Sequence, residues 1–109
     1  SVQAGSATSH DIRQVLDGNI DAFMEITQRV LKIDGVVKEA YAKFIDQPSI
    51  EKYLLFVDGN PIAIGILVTH EKAGGIFNIA VLPEYQKKGY GRAIMHFLMC
   101  RAYFSGLHQ

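Results

Sequence analysis

No sign of charge prevails in this chain. Eleven Lys and Arg side chains balance eleven Asp and Glu, and the formal net charge at pH 7 is zero. Without an overall basic field nothing draws in a polyanion at long range, which argues against a nucleic-acid partner. Long apolar runs are missing too. None approaches the roughly 20 residues of a membrane-spanning helix, so no membrane partner is expected. Cysteine is nearly absent: a single thiol, Cys100, excludes an internal disulfide framework and suits a reducing compartment, which points to the cytoplasm. One Cys and four scattered His (His10, His70, His96, His108) offer no zinc spacing, so no metal site is expected, and the histidines read as surface or helix filler.

What remains is 109 residues, 49% hydrophobic and 20% charged, which suits one small globular domain. The small, polar opening SVQAGSATSH (1–10) reads as a linker or a remnant of processing or tagging, with the domain proper at 11–109. Asn19 is placed to cap a helix running to about Lys32, with Ile20, Phe23, Met24, Thr27, Val30 and Leu31 at helical spacing and Gly35 as its stop. A second helix is expected over Val36 to Asp46, with Val37, Ala40, Tyr41, Phe44 and Ile45 as its apolar stripe and Pro48 closing the segment. Then the period becomes extended. YLLFV (53–57), a DGNP turn (58–61) and the alternating run from Ile62 to Thr69 form a hairpin, the second strand carrying Ile62, Ile64, Ile66 and Val68 on one bulky face. HEKAGG (70–75) is the next turn and IFNIAVL (76–82) a third strand. A helix from about Gly89 to Phe104 follows, with Ile94, Met95, Leu98, Met99 and Ala102 inward. The short turns imply antiparallel pairing and an α+β domain with helices packed on a small sheet. Three strands leave one sheet edge bare, which predicts that a C-terminal portion is missing or that a second chain covers the edge as a homodimer.

The stretch PEYQKKGYGRAIM (83–95) lies between the last strand and this helix. The first turn of a helix has four N–H groups without internal partners and carries about half a positive charge, which together suit a phosphate. Gly89 and Gly91 let the backbone come close, and Lys87, Lys88 and Arg92 can add charge at the rim. A Walker A loop is excluded because Arg92 and Ala93 stand where it needs Lys and a hydroxyl residue. A dinucleotide fingerprint is excluded because position 94 is Ile. The bland alternative is a solvated Lys-Lys turn.

Gln86-Lys87-Lys88-Gly89-Tyr90-Gly91 matches Q/R-x-x-G-x-G/A, and NIAVLPEYQKKGYGRAIMHFLM (78–99) resembles the strand, turn, loop and helix around that signature in the GNAT superfamily of N-acyltransferases. The resemblance covers about residues 20–105 and implies a GNAT-like mixed, mainly antiparallel sheet with helices packed on it. It implies that backbone N–H groups from Gln86 to Arg92 bind the pyrophosphate of acetyl-CoA, and that Ile79, Ala80 and Val81 pair with its pantetheine. The N–H near Val81 would polarise the thioester carbonyl as an oxyanion donor, and an amine acceptor would attack directly once deprotonated by a base or by water. The family continues with a further strand, a helix and a last strand bearing a tyrosine often proposed as general acid. This chain stops at SGLHQ where that strand would start, so the implied fold is C-terminally incomplete and its catalytic residues stay unknown.

The function expected from the resemblance is N-acetyltransfer from acetyl-CoA to a primary amine. The alternative is a non-catalytic CoA-binding or protein-interaction module. Glu84 reads first as a turn or helix-start carboxylate and second as a base, Asn78 first as a strand-edge hydrogen-bonding group and second as an orienter of substrate or water. His70-Glu71 is a further base candidate, beside the proposed substrate side. Tyr85 is expected to pack and Tyr90 to fill the bulky position between the glycines. Cys100 is expected to be a buried structural thiol, and Met95 and Met99 to be core.

Overall fold

A computed structural model describes residues 10–69 and 76–104 of the chain. Four strands, β1 (Asp11–Gln14), β2 (Ile50–Val57), β3 (Asn60–Val68) and β4 (Ile76–Val81), form one sheet in sequence order, and every pairing is antiparallel. Three helices accompany them: α1 (Ile20–Leu31), α2 (Gly35–Ile45) and α3 (Tyr90–Ala102). The α+β expectation is met, with one strand more than the sequence indicated.

The hairpin owes its turn to Asp58 and Gly59, whose φ angles of 52° and 81° are the positive pair that a two-residue turn of matching twist needs. Val57 and Asn60 close it, so β3 begins inside the expected DGNP turn. A register shift at Leu55/Phe56 sets Phe56 against Pro61, where the missing proline N–H costs no regular ladder bond.

β3 is the centre of the molecule. Residues 62–67 are all buried, so the strand has two covered faces rather than one. On one face Gly65 leaves room for α3: a Cβ built there would sit 3.0 Å from Ile94 Cδ1 and 3.2 Å from Leu98 Cδ1. Tyr53, Leu67, Leu98 and Ala102 continue that layer. Alternation sends Ile62, Ile64 and Ile66 to the opposite face, where they join the cluster holding Phe23 and Ile26 of α1.

Several sequence expectations need correction. Asn19 precedes α1 but makes no side-chain cap, because a 3-10 turn (Asp17–Asn19) leads straight into the helix. α1 stops at Lys32, which takes the left-handed conformation and returns its N–H to Gln28 C=O at 2.8 Å, while Gly35 begins α2 instead of ending α1. Leu31 is exposed, and of the α2 stripe only Ile45 is buried; Val37, Ala40 and Phe44 are exposed and Tyr41 is half-buried, because α2 lies at the periphery beside β2. In α3, Ile94, Leu98 and Ala102 face the sheet as expected, but Met95, Met99 and Cys100 are exposed. Helical period explains this: 94, 98 and 102 form one row, and 95 and 99 the next row, turned away from β3. No helix among the described residues is long and apolar enough to cross a membrane.

Candidate functional site

The site begins at the end of β4. Leu82 N–H donates to Ile62 C=O at 2.9 Å. In an antiparallel ladder, residues that exchange both backbone bonds with the neighbour alternate with residues that turn both groups away. Leu82 therefore sets the phase. Ala80 and Asn78 give their amides and carbonyls to β3, whereas Ile79 and Val81 turn theirs outward. β4 is the last strand in the sheet order, so among the described residues that outward side is an open edge. Of the three strand residues expected to meet pantetheine, Ile79 and Val81 thus offer backbone groups. Ala80 does not, because its backbone serves β3 and its side chain is buried.

Beyond Val81 the chain makes a 3-10 turn (Pro83–Tyr85), closed by Tyr85 N–H to Leu82 C=O at 2.9 Å and Gln86 N–H to Pro83 C=O at 3.3 Å. The Gln86 N–H is therefore already engaged, and the anion-facing run starts one residue later. Lys87 has φ 65° and Gly89 has φ 90°, left-handed positions that bend the loop back over the start of α3. The first backbone bond into the helix runs from Ala93 N–H to Gly89 C=O at 3.0 Å, and no side chain among the described residues caps the N-terminus. The N–H groups of residues 87–92 have no backbone acceptor among the described residues.

Gly91 joins the two parts. A Cβ on it would lie 3.7 Å from Val81 Cγ2, so the uncapped helix start sits directly beside the open strand edge. Lys87, Lys88 and Arg92 are exposed around it. Tyr90 and Tyr85 are half-buried against the core with ring centroids 6.2 Å apart, and Tyr90 also meets the edge of the His10 ring at 6.0 Å.

Glu84 stands in the turn and contacts Arg29 of α1 at 3.2 Å. Its carboxyl is held below the ordinary range, first by a hydrogen bond from its own backbone N–H and then by the Arg29 guanidinium. A lowered pKa and an ion pair make it a poor proton acceptor, which favours the turn-carboxylate reading. Asn78 is exposed on β4, opposite Ile66. His70 and Glu71 lie outside the described residues. A cleft of about 620 Å³ opens elsewhere, between the end of β1 and the start of β2, with Val15, Ile50 and Lys52 in its wall; none of the expected site residues lines it.

Sequence reasoning missed one contact at this candidate site. Gln86 Nε2 donates to the outward-facing carbonyl of Val81 at 2.9 Å. No sequence signal could have shown it, because it depends on the phase of the β3–β4 ladder.

An antiparallel sheet with an open strand edge beside an uncapped, glycine-led helix makes an α+β domain whose outward backbone groups suit an extended, anion-bearing ligand. The chain belongs to the GNAT acetyltransferase family, whose model matches residues 18–108. Solved structures agree on the fold. The ribosomal-protein-S18-alanine N-acetyltransferase of Escherichia coli superposes with a TM-score of 0.75 at 23% identity, over 90% of this chain and 62% of that one. The aminoglycoside antibiotic 6'-N-acetyltransferase AAC(6')-IG of Acinetobacter haemolyticus gives 0.67 at 13% identity, over 88% and 74%. AAC(6')-Iy, in complex with the bisubstrate analogue CoA-S-monomethyl-acetylneamine, gives 0.65 at 14% identity, over 84% and 69%. This chain thus spans 62% of the length of the E. coli protein. No curated protein matches the sequence.

Proposed function

We propose that this domain binds acetyl-CoA as co-substrate and transfers its acetyl group to a primary amine by direct attack. The observation that carries the reading is the contact between two unlike donors, the uncapped start of α3 and the open edge of β4, through Gly91 and Val81. The first suits an anion. The second suits an extended chain of amides, which adds to a sheet edge as a strand would. Acetyl-CoA carries both, a pyrophosphate and a pantetheine arm ending in a thioester.

In this assignment the N–H groups of Lys87, Lys88, Gly89, Tyr90, Gly91 and Arg92 hold the pyrophosphate, and the charges of Lys87, Lys88 and Arg92 surround it. Ile79 pairs with the pantetheine arm. Val81 N–H points to the thioester oxygen. The acceptor nitrogen attacks the carbonyl carbon, and negative charge develops on that oxygen against the Val81 N–H. The C–S bond then breaks, the CoA thiolate takes up a proton, and the amine nitrogen gives one to a base or to water. The ion pair with Arg29 disfavours Glu84 as that base. The names of two structural relatives, an S18-alanine and an aminoglycoside N-acetyltransferase, support nitrogen as the acceptor atom.

The test is calorimetric titration of the chain with acetyl-CoA, with pantetheine as the control that lacks pyrophosphate. Saturable binding of acetyl-CoA and none of pantetheine is the expected result. Equal binding of both, or none by a folded chain, overturns the cradle assignment. Binding without acetylation of any amine tried turns the reading to a CoA-binding module.

A further inference from the structure

Val81 lies at the centre of the proposed site, and only half of its backbone is free. Its N–H and its C=O both face the open edge, because Leu82 N–H, on the far end of the same peptide unit as the Val81 carbonyl, is bound to Ile62 C=O at 2.9 Å. The Val81 carbonyl is taken by Gln86 Nε2, also at 2.9 Å. One peptide unit is therefore gripped at both ends, by β3 through its N–H and by the loop through its C=O.

We infer that Gln86 is a positioning residue for the acyl group of the bound thioester, acting through Val81 rather than by touching phosphate. This rests on the acetyl-CoA reading above. The physical argument has two parts. First, a bare carbonyl beside the Val81 N–H would set a negative dipole end next to the incoming acyl oxygen. The Gln86 amide supplies a donor to that carbonyl and leaves the edge at Val81 as a donor site alone. A thioester carbonyl is an acceptor and has no N–H to offer in return, so a donor-only position suits it. Second, the bond spans five residues, from the strand end to the loop, across the Pro83–Tyr85 turn. It fixes the distance between the strand edge that meets the acyl group and the helix start that meets the phosphates. The Gln86 side chain is exposed, so its hydrogen bond is not an element of the core. A change there alters the geometry of the edge without emptying the interior.

Glutamate is the discriminating substitution, because Gln86→Glu keeps length and shape but cannot donate while ionised and turns an oxygen toward the Val81 carbonyl. Gln86→Arg keeps an N–H donor on a long stem and is the conservative control. The probes are acetyl-CoA and free CoA, which differ only in the acetyl group. The added charge of Gln86→Glu acts on CoA and acetyl-CoA alike, so the readout is the ratio of their affinities: the expected result is that the preference for acetyl-CoA over CoA falls by about fivefold, the scale of one net hydrogen bond. Gln86→Arg restores the preference. In the ligand-free chain, amide exchange at Leu82 accelerates in Gln86→Glu and not in Gln86→Arg. An unchanged acetyl preference in Gln86→Glu, with Leu82 exchange as in the parent, overturns the inference and leaves the acetyl-CoA reading standing. Failure of the parent chain to bind CoA overturns the acetyl-CoA reading instead, and the exchange measurement still reports on the clamp.

Discussion

Three glycines show how differently one residue type can be required. Gly65 has ordinary backbone angles and is needed for space, since an added Cβ meets Ile94 and Leu98 of α3 at 3.0 to 3.2 Å. Gly65→Ala is expected to cost about 1–3 kcal/mol by pushing α3 off the sheet, read as a lower midpoint in denaturant unfolding. Gly89 has open space around it but a φ of 90°, so its constraint is backbone conformation. Gly91 has neither, and its Cβ would only touch Val81. The two loop substitutions therefore separate. Gly91→Val is expected to leave stability within about 0.5 kcal/mol while weakening acetyl-CoA at least about tenfold, because the new methyls fill the space between helix start and strand edge. Gly89→Val is expected to lose binding too, and to cost about 1–3 kcal/mol of stability for a β-branched residue in the left-handed region. Unfolding curves and titrations on the same samples check both. Equal stability losses in the two variants would contradict the assignment. The glycines were visible in the sequence. Which one is needed for space and which for backbone conformation was not, because that depends on φ and on what faces each Cα.

At the scale of elements, the end of α3 is tied to the sheet by a polar cluster within an otherwise apolar layer. Tyr53 of β2 donates its hydroxyl to Glu51 Oε1 at 2.6 Å, and Arg101 of α3 reaches Glu51 Oε1 at 3.0 Å, Glu51 Oε2 at 3.1 Å and the Tyr53 hydroxyl at 3.0 Å. The Tyr53 ring packs edge-on against Phe97 at 5.0 Å. Burial, then the bond to Glu51, pushes the Tyr53 pKa up to about 12. A folded pKa above the unfolded value of about 10 means that the protonated phenol stabilises the native state. This contribution is fully present below about pH 10 and is lost as pH rises through about 12. Tyr53→Phe is expected to cost about 1 kcal/mol at neutral pH and to flatten the fall in stability between pH 10 and 12. Thermal unfolding across that range measures it, and an unchanged slope would rule Tyr53 out as its source.

The same scale shows which elements could be read from sequence. The hairpin and β4 were legible as apolar runs bounded by turn residues, and α3 as an apolar helix ahead of Gly106, although β3 is covered on two faces where its alternation indicated one. β1 was not, because DIRQ has one apolar residue and is held by pairing with β2 rather than by a buried face of its own. α2 misled in the other direction, its apolar spacing being good while the helix stands at the margin with Val36, Val37 and Phe44 exposed. In α3 nearly every position from 94 to 99 is apolar, so period alone could not tell the row at Ile94 and Leu98 from the row at Met95 and Met99. The loop and the helix start after it were legible as a motif, whereas the orientation of Val81 and the Gln86 contact were not, since ladder phase is a property of two strands together.

For the molecule as a whole, the strands lie in the sheet in the order they occur in the chain. Three of the four are consecutive partners over short spans, and only β1 must find its neighbour across the two helices, with Asp11 opposite Phe56. Loop closure over that span costs more chain entropy than the β2–β3 hairpin, which closes over two residues. Strand order thus becomes a sequence of events in time. The hairpin is expected to form early with β4 and α3 added to it, and β1 to dock after the barrier. Truncating Ile12 to Ala is then expected to speed unfolding and leave the folding rate unchanged, a φ-value near zero, while Leu54→Ala slows folding. Stopped-flow chevrons of the two variants measure this. The strand that the sequence displayed least is expected to be the last to arrive.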